Sequence, residues 1–508
     1  MQKVQFLFAG ARTRAATRKS ISALPFNLAK RALGLSLIVT AGLAMPLGQH
    51  VHAVDLTGVY EIARVNDPVI GAARMGFEAQ QQLAPQTRAA LLPTISLNGN
   101  TRWNERNFLV PNDETVAAAA AAAEADGGVG INPDQDFNTH GWNAQFRQSV
   151  FNLANWHTWR SSKAQIKGAQ WDLAATEQEL LVRVATAYLN VLRAQDFLDS
   201  SVAQKAAVKR HLEQVHQRFD VGLVAITDVL ESTAIYDNAV VQRIQADGDH
   251  DNFFDTLTTL TGEPFAELSK LSEQLPIVSP APDSSEDWVI AALGNNFGIL
   301  SARAAVTSTR RTLRARRADH MPTIEASYSF NHNVDDSVGF FGAGTKVNQD
   351  VYSLEMSLPI YQGGFKTARA REAKARFRQA TRQLENQNRA VARDVRNLYR
   401  SVTTDVIRVK ARLKAIKSSE SALEATETGY EVGTRNIVDV LQAQQRLYSA
   451  QFDYADSRYT YVLNLLRLKQ AAGTLTPQDL ADINAFTNSS DTVQRLASMR
   501  RRSSGDAG

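Results

Sequence analysis

Hydrophobic positions along this chain switch between two periods, and the whole sequence of switches occurs twice. Ile324, Ala326, Tyr328 and Phe330 alternate with Thr323, Glu325, Ser327 and Ser329, and Tyr352, Leu354, Met356, Leu358 and Ile360 alternate with Ser353, Glu355 and Ser357. Further upstream, Ile95 and Leu97 are set against Thr94, Ser96 and Asn98, and Trp142, Ala144, Phe146 and Val150 against Asn143, Gln145, Arg147 and Ser149. A period of two predicts four β-strands. Each is about ten residues long, the length that crosses a bilayer at a tilt.

Elsewhere the period is helical. From Gly363 to Thr428 there is no proline and no glycine after Gly364, which predicts a single helix on the order of 100 Å long. Its apolar positions Leu384, Val391, Val395, Leu398, Val402, Val406, Val409, Leu413, Ile416 and Leu423 recur mostly three, four or seven apart. This is a heptad seam with one stutter. After a Val-Gly turn the pattern resumes through Leu441, Tyr448, Phe452, Ala455, Tyr459, Val462 and Leu466, so the two helices form an antiparallel hairpin.

One unit is written twice. "ALLPTISLNGN" matches "DHMPTIEASYSF", and "FDVGLVAITDVL" (Phe219 to Leu230) matches "YEVGTRNIVDVL" (Tyr430 to Leu441). Gly222, Asp228 and Gly262 thereby pair with Gly433, Asp439 and Gly473. The first copy is longer by an Ala-rich stretch, "LVPNDETVAAAAAAAEADGGVGINPDQDFN", an exposed loop by composition. The expected division is residues 1–53 as an export signal, 54–263 as the first repeat, 264–284 as a proline-bearing linker or equatorial segment, 285–473 as the second repeat, and 474–508 as a partly disordered tail.

The first 53 residues carry seven basic and no acidic side chains ahead of the apolar run "ALGLSLIVTAGLAMPLG", and "VHA" supplies a small-residue cleavage site. Without them the formal net charge of +4 becomes −3, which removes the electrostatic case for a nucleic-acid partner. The chain has no cysteine, and that excludes disulfides, thiolate metal sites and a lipid-modified N-terminal cysteine. Membrane residence would then rest on a β-barrel.

Alternation alone fits any half-buried sheet. Here both strand pairs are bracketed by long helices in a chain with an export signal, which favours a lipid-facing barrel. Four strands cannot close one, so each chain is expected to supply staves to an oligomeric barrel.

No catalytic constellation stands out. His211 and His216 lack the spacing of a zinc motif, and "GFFGAG" lacks the Lys-Ser/Thr ending of a phosphate loop. Neither enzyme activity, a cofactor nor a metal is expected.

Taken together, "VYEIARVNDP", "ATAYLNVLRAQD", "RFDVGLVAITDVL", "GYEVGTRNIVDVLQAQQRLY" and "LKQAAGTLTPQDL" resemble the TolC family of outer-membrane channels over nearly the whole mature chain. The resemblance implies an α+β membrane protein of a Gram-negative outer membrane. It implies a homotrimer whose twelve-stranded β-barrel, four strands per chain, continues as a helical coiled-coil tunnel through the periplasm. The implied function is an exit duct for multidrug efflux and type I protein secretion, with a periplasmic adaptor and an inner-membrane RND or ABC transporter as partners.

It also implies a gate at the tunnel tip, where Thr227 and Asp228 accept hydrogen bonds from Tyr430 and Arg435. An additional link maps to His211 with Glu427, and Asp439 to an acidic ring in the lumen. Gln442 stands where the family has a second ring aspartate, so cation block should be weaker than in the two-ring pattern. Asp439 has a plainer reading too, as an aspartate beside a helix start. The competing functional reading is a coiled-coil spacer or adhesin anchored by β-hairpins.

Overall fold

The computed structural model describes residues 53–107, 134–272, 274–339 and 342–495, together with Ala118, Ala121 and Ala125. The export signal, most of the Ala-rich loop, part of "GFFGAG" and the end of the tail lie outside the described residues.

Three short helices, α1 (Leu56–Asn66), α2 (Pro68–Gln81) and α3 (Leu83–Ala89), lead into the hairpin β1 (Thr94–Asn107) and β2 (Asp134–Phe151). Helices α4 (Leu153–Asp220) and α5 (Ile226–Thr261) follow, and then the short strand β3 (Glu267–Leu271). The order then repeats with α6 (Ser285–Asn295), α7 (Phe297–Ala318), β4 (Thr323–Gly339), β5 (Gly342–Ser357), α8 (Phe365–Glu431) and α9 (Ile437–Ala472). Helix α10 (Pro477–Asn484) and strand β6 (Thr487–Gln494) complete the described chain. The duplication is close in length: α4 and α8 have 68 and 67 residues, and α5 and α9 have 36 each.

The four long strands form one antiparallel sheet in the order β1-β2-β4-β5. Their register puts the alternating apolar residues on a common face. Ile95 pairs with Phe146, Phe146 with Tyr328 and Tyr328 with Tyr352, while Leu97, Ala144 and Phe330 form a second row. Ile324 with Met356 and Ala326 with Leu354 extend it. Opposite register partners share a face, so polar Ser96, Gln145, Ser329 and Ser353 lie on the other side. The apolar face is strongly exposed in the single chain: Ile95 is 80% exposed, Leu354 72% and Tyr352 79%. Gly141 is required where it stands, because a Cβ there would come within 2.4 Å of the His332 carbonyl oxygen across the β2–β4 pair.

The strands are 14 to 18 residues long, not about ten. Pairing continues through polar stretches such as Asn331–Asp335, because backbone hydrogen bonds do not require apolar side chains. At the other end β5 stops at Ser357, short of the expected Leu358 and Ile360. Pro359 has no N–H to extend the ladder.

The main core lies where the long helices are crossed by the short elements. Val59, Tyr188, Leu192, Phe254, Leu257, Leu268, Leu466 and Leu480 are buried in one cluster. Within it, the segment expected as a linker and the tail expected to be partly disordered pair as β3 with β6. Leu475, Leu480, Ile483 and Val493 are all buried, so burial holds the first part of the tail in place. The heptad seam of α8 is buried at Val391, Val395, Val402, Val406 and Val409, with Leu398 partly buried between them, and Leu413 is 47% exposed. Leu384 packs partly buried against the same core and Leu423 against a second cluster at the hairpin tips, so the seam is open chiefly at Leu413. Asp405, 1% exposed, accepts hydrogen bonds from Arg408 Nη1 at 2.9 Å and Asn464 Nδ2 at 2.7 Å and so fastens α8 to α9.

Among the described residues no single helix is long and apolar enough to cross a membrane.

Candidate functional site at the hairpin tips

Both Val-Gly turns adopt one conformation. Gly222 has φ +77° and Gly433 φ +78°. In the first, Gly222 N donates to Phe219 O at 2.8 Å and Leu223 N to Arg218 O at 2.8 Å; in the second, Gly433 N donates to Tyr430 O at 3.1 Å and Thr434 N to Gly429 O at 2.8 Å. These paired bonds satisfy carbonyls that the ends of α4 and α8 would otherwise leave unpaired, and they require a left-handed residue that glycine adopts without a Cβ penalty.

The next helices begin differently. Ala225 caps α5 without a side-chain hydrogen bond, whereas Asn436 caps α9 in a reciprocal box with Asp439. Asp439 N donates to Asn436 Oδ1 at 2.8 Å, and Asn436 N donates to Asp439 Oδ2 at 3.4 Å. Asp439 also meets Arg435 Nη1 at 3.8 Å, in a pair whose side chains are 62% and 37% exposed. An ion pair this exposed contributes about 0–1 kcal/mol. Asp228 sits at the corresponding third position of α5 with no Asn to receive it.

The two tips meet. Val208, Val215, Val229, Ile437, Val440 and Leu441 form a buried cluster drawn from both hairpins. Beside it lies a cavity of about 600 Å³ lined by His211, Gln214, Arg218, Glu427 and Tyr430, among others. The Arg218 guanidinium lies 4.6 Å from the centre of the Tyr430 ring. Within the chain both the Tyr430 hydroxyl and His211 Nδ1 are buried without a hydrogen-bond partner. Burial pushes the His211 pKa below its ordinary value, opposed by the nearby Glu427 carboxylate and by Gln214.

Within one chain, the expected bonds from Tyr430 and Arg435 to Thr227 and Asp228 are not made. Arg435 turns to Asp439, Tyr430 lies under Arg218, Asp228 is half-buried and Thr227 exposed. His211 and Glu427 do share the cavity, without a hydrogen bond between them. Gln442 is exposed on α9.

Three residues were missed in the sequence. Arg218 carried no signal, since its contact with Tyr430 joins different hairpins. Asn436 could have been found as an Asn three residues before Asp439, a capping-box spacing. Gly429 makes room for Arg435: a Cβ there would lie 2.9 Å from Arg435 Cγ. Among the described residues, no three His, Asp or Glu side chains gather as a metal site.

An exposed apolar sheet carried on long duplicated helical hairpins defines a class, the outer-membrane ducts. Residues 59–263 and 288–474 match the outer membrane efflux protein family. The chain belongs to that family, and it is an outer-membrane exit duct. It is 34% identical to the outer membrane protein TolC of Vibrio cholerae over 453 residues, 89% of this chain and 98% of that protein. It is 27% identical to the alkaline protease secretion protein AprF of Pseudomonas aeruginosa, over 88% of this chain and 90% of that one. The fold matches the Campylobacter jejuni CmeC outer membrane channel at a TM-score of 0.69 and 15% identity, covering 86% of this chain and 90% of that one.

Proposed function

We propose that three copies of the chain close a twelve-stranded barrel, β1 of one pairing with β5 of the next. The observation that carries this reading is a four-stranded sheet with one exposed apolar face and, among the described residues, no strand beyond β1 or β5. Unpaired strand edges cannot remain in lipid, and three such sheets supply twelve staves. The helices leaving each sheet then continue the wall as a periplasmic tunnel. A periplasmic adaptor and an inner-membrane RND or ABC transporter complete the pathway for drugs or secreted proteins.

The tips form the gate. Arg435 is held in one chain only by a weak, exposed pair, and the Tyr430 hydroxyl is buried without a partner. In the trimer Asp228 and Thr227 of an adjacent hairpin supply the missing acceptors, each charge-assisted bond contributing roughly 1.5–3 kcal/mol. His211 with Glu427 adds a weaker contact across the cavity. Asp439, in three copies, forms a single acidic ring facing the lumen, with Gln442 neutral beside it.

Single-channel conductance in a planar bilayer tests this. Tyr430→Phe combined with Arg435→Ser should raise conductance several-fold over wild type, and Asp439→Asn should raise the concentration of divalent cation needed for block. A membrane silent with both wild type and the double variant sinks the duct. Unchanged conductance in a working channel misplaces the gate.

A further inference from the structure

The two helices that leave the sheet begin with the same pair. "NWHTWR" near the start of α4 and "GFKTAR" at the start of α8 each set an aromatic residue four positions before an arginine, Trp156 before Arg160 and Phe365 before Arg369. Each arginine lies over the aromatic ring one turn before it, Arg160 at 5.1 Å from Trp156 and Arg369 at 5.3 Å from Phe365. These rings are 41% and 58% exposed, and Ile360 and Tyr361, just ahead of α8, are 93% and 83% exposed. Trp159 packs 5.1 Å from Trp156 and carries Lys163 at 3.9 Å.

Further cations crowd this band. The charges acting on Arg311 of α7 are Arg314, Arg160 and Arg310, with no carboxylate among them, and His157 faces Arg311, Arg314 and Arg160 in the same way. Burial is the larger influence on both, and the like charges add to it, lowering the affinity of each for its proton. Around these two groups the neighbouring charges are positive, and a concentration of one sign of charge raises the local concentration of counter-ions. Exposed tryptophan and arginine bordering an apolar face are the composition of a membrane interface.

We propose that this collar binds the phosphate headgroups of anionic phospholipids in the leaflet nearest the helices, with Trp156 and Phe365 seated beside the acyl chains. The proposal rests on the reading that the apolar face of the sheet meets lipid. Guanidinium groups engage phosphate through two parallel bonds. Each basic residue near an anionic surface contributes about a fivefold gain in affinity.

Native mass spectrometry of the purified full-length chain, given equal phosphatidylglycerol and phosphatidylcholine, tests it. Wild type should retain phosphatidylglycerol several-fold over phosphatidylcholine. Arg160→Gln, Arg311→Gln, Arg314→Gln and Arg369→Gln together should bring the ratio to parity, and lysine at the same four positions should restore most of it. Parity in wild type, or an unchanged ratio in the glutamine variant, overturns the proposal. Displacement of the lipid by millimolar inorganic phosphate would make this a free-anion site, and altered ion selectivity with lipid preference intact would place the collar in the lumen; either result also overturns it. Conductance in phosphatidylcholine bilayers separates the two readings. A conducting channel without lipid preference sinks only the collar, and a membrane silent with both wild type and the Tyr430→Phe, Arg435→Ser variant while the preference is kept sinks only the duct.

Discussion

The two hairpin tips share their backbone and differ in what their side chains leave free. Turn geometry, glycine conformation and helix lengths agree between Phe219–Leu230 and Tyr430–Leu441. In the second turn, Asn436 and Arg435 engage Asp439, so that aspartate is occupied within its own chain. In the first, Ala225 and Val224 stand at the corresponding places and Asp228 has neither partner. The two copies thus share the fold of the turn and differ at two positions, so that one carboxylate has no cap partner and only one tip carries a guanidinium. An acceptor and a donor on otherwise equivalent tips are what a contact between tips needs.

The largest expected effect breaks this asymmetry directly. Arg435→Ser alone should raise single-channel conductance several-fold, whereas Val224→Ser, its counterpart, should leave conductance near wild type; equal effects would erase the distinction between donor and acceptor tips. Next come the glycines, where the tips should behave alike. Gly222→Ala and Gly433→Ala each force an L-residue into the left-handed region, costing roughly 1–2 kcal/mol, and thermal unfolding should fall by similar amounts in both.

A smaller effect concerns the caps. Asn436→Ala should cost about 1 kcal/mol at the start of α9, visible as faster amide exchange from Ile437 to Leu441. Ala225→Ser should slow exchange at the start of α5 and, by engaging Asp228, weaken the contact between tips. Slower exchange without a conductance change would separate capping from gating.

The smallest effect is that of pH. The His211 pKa is lowered in the folded chain, chiefly by burial. The unfolded chain therefore binds more protons between that lowered value and the ordinary His pKa near 6.5. Stability of the tip is complete above about pH 6.5 and declines as the pH falls below it. Amide protection factors around the cavity, taken relative to intrinsic exchange at each pH, should fall on acidification, and His211→Gln should flatten that dependence. A pH response retained by the variant would assign it to another group.

Much of this was legible because it is periodic. Ile324 to Phe330 announced a strand with one apolar face, and the proline-free run after Gly364 announced a long helix. Each follows from spacing along the chain, which the backbone converts directly into a face. Gly222 and Gly433 were legible for a related reason: a helix end needs a left-handed residue, and few residue types supply it.

What depended on distant contacts could not be read. Residues 264–284 and 474–508 carry no strong period, yet β3 and β6 pair because Leu268 and Val493 are buried together in the central core. Leu413 continues the heptad of α8 but is exposed, since a seam is buried only where another element covers it. The meeting of Arg218 with Tyr430 and the cationic band around Arg160 join residues more than a hundred positions apart. Sequence by itself determined the long helices and strands, their duplication and the conformation of the turns, all properties of local spacing and backbone sterics. Only the tertiary structure decided which side chains were occupied and which were left unpartnered, because that depends on what packing brings alongside.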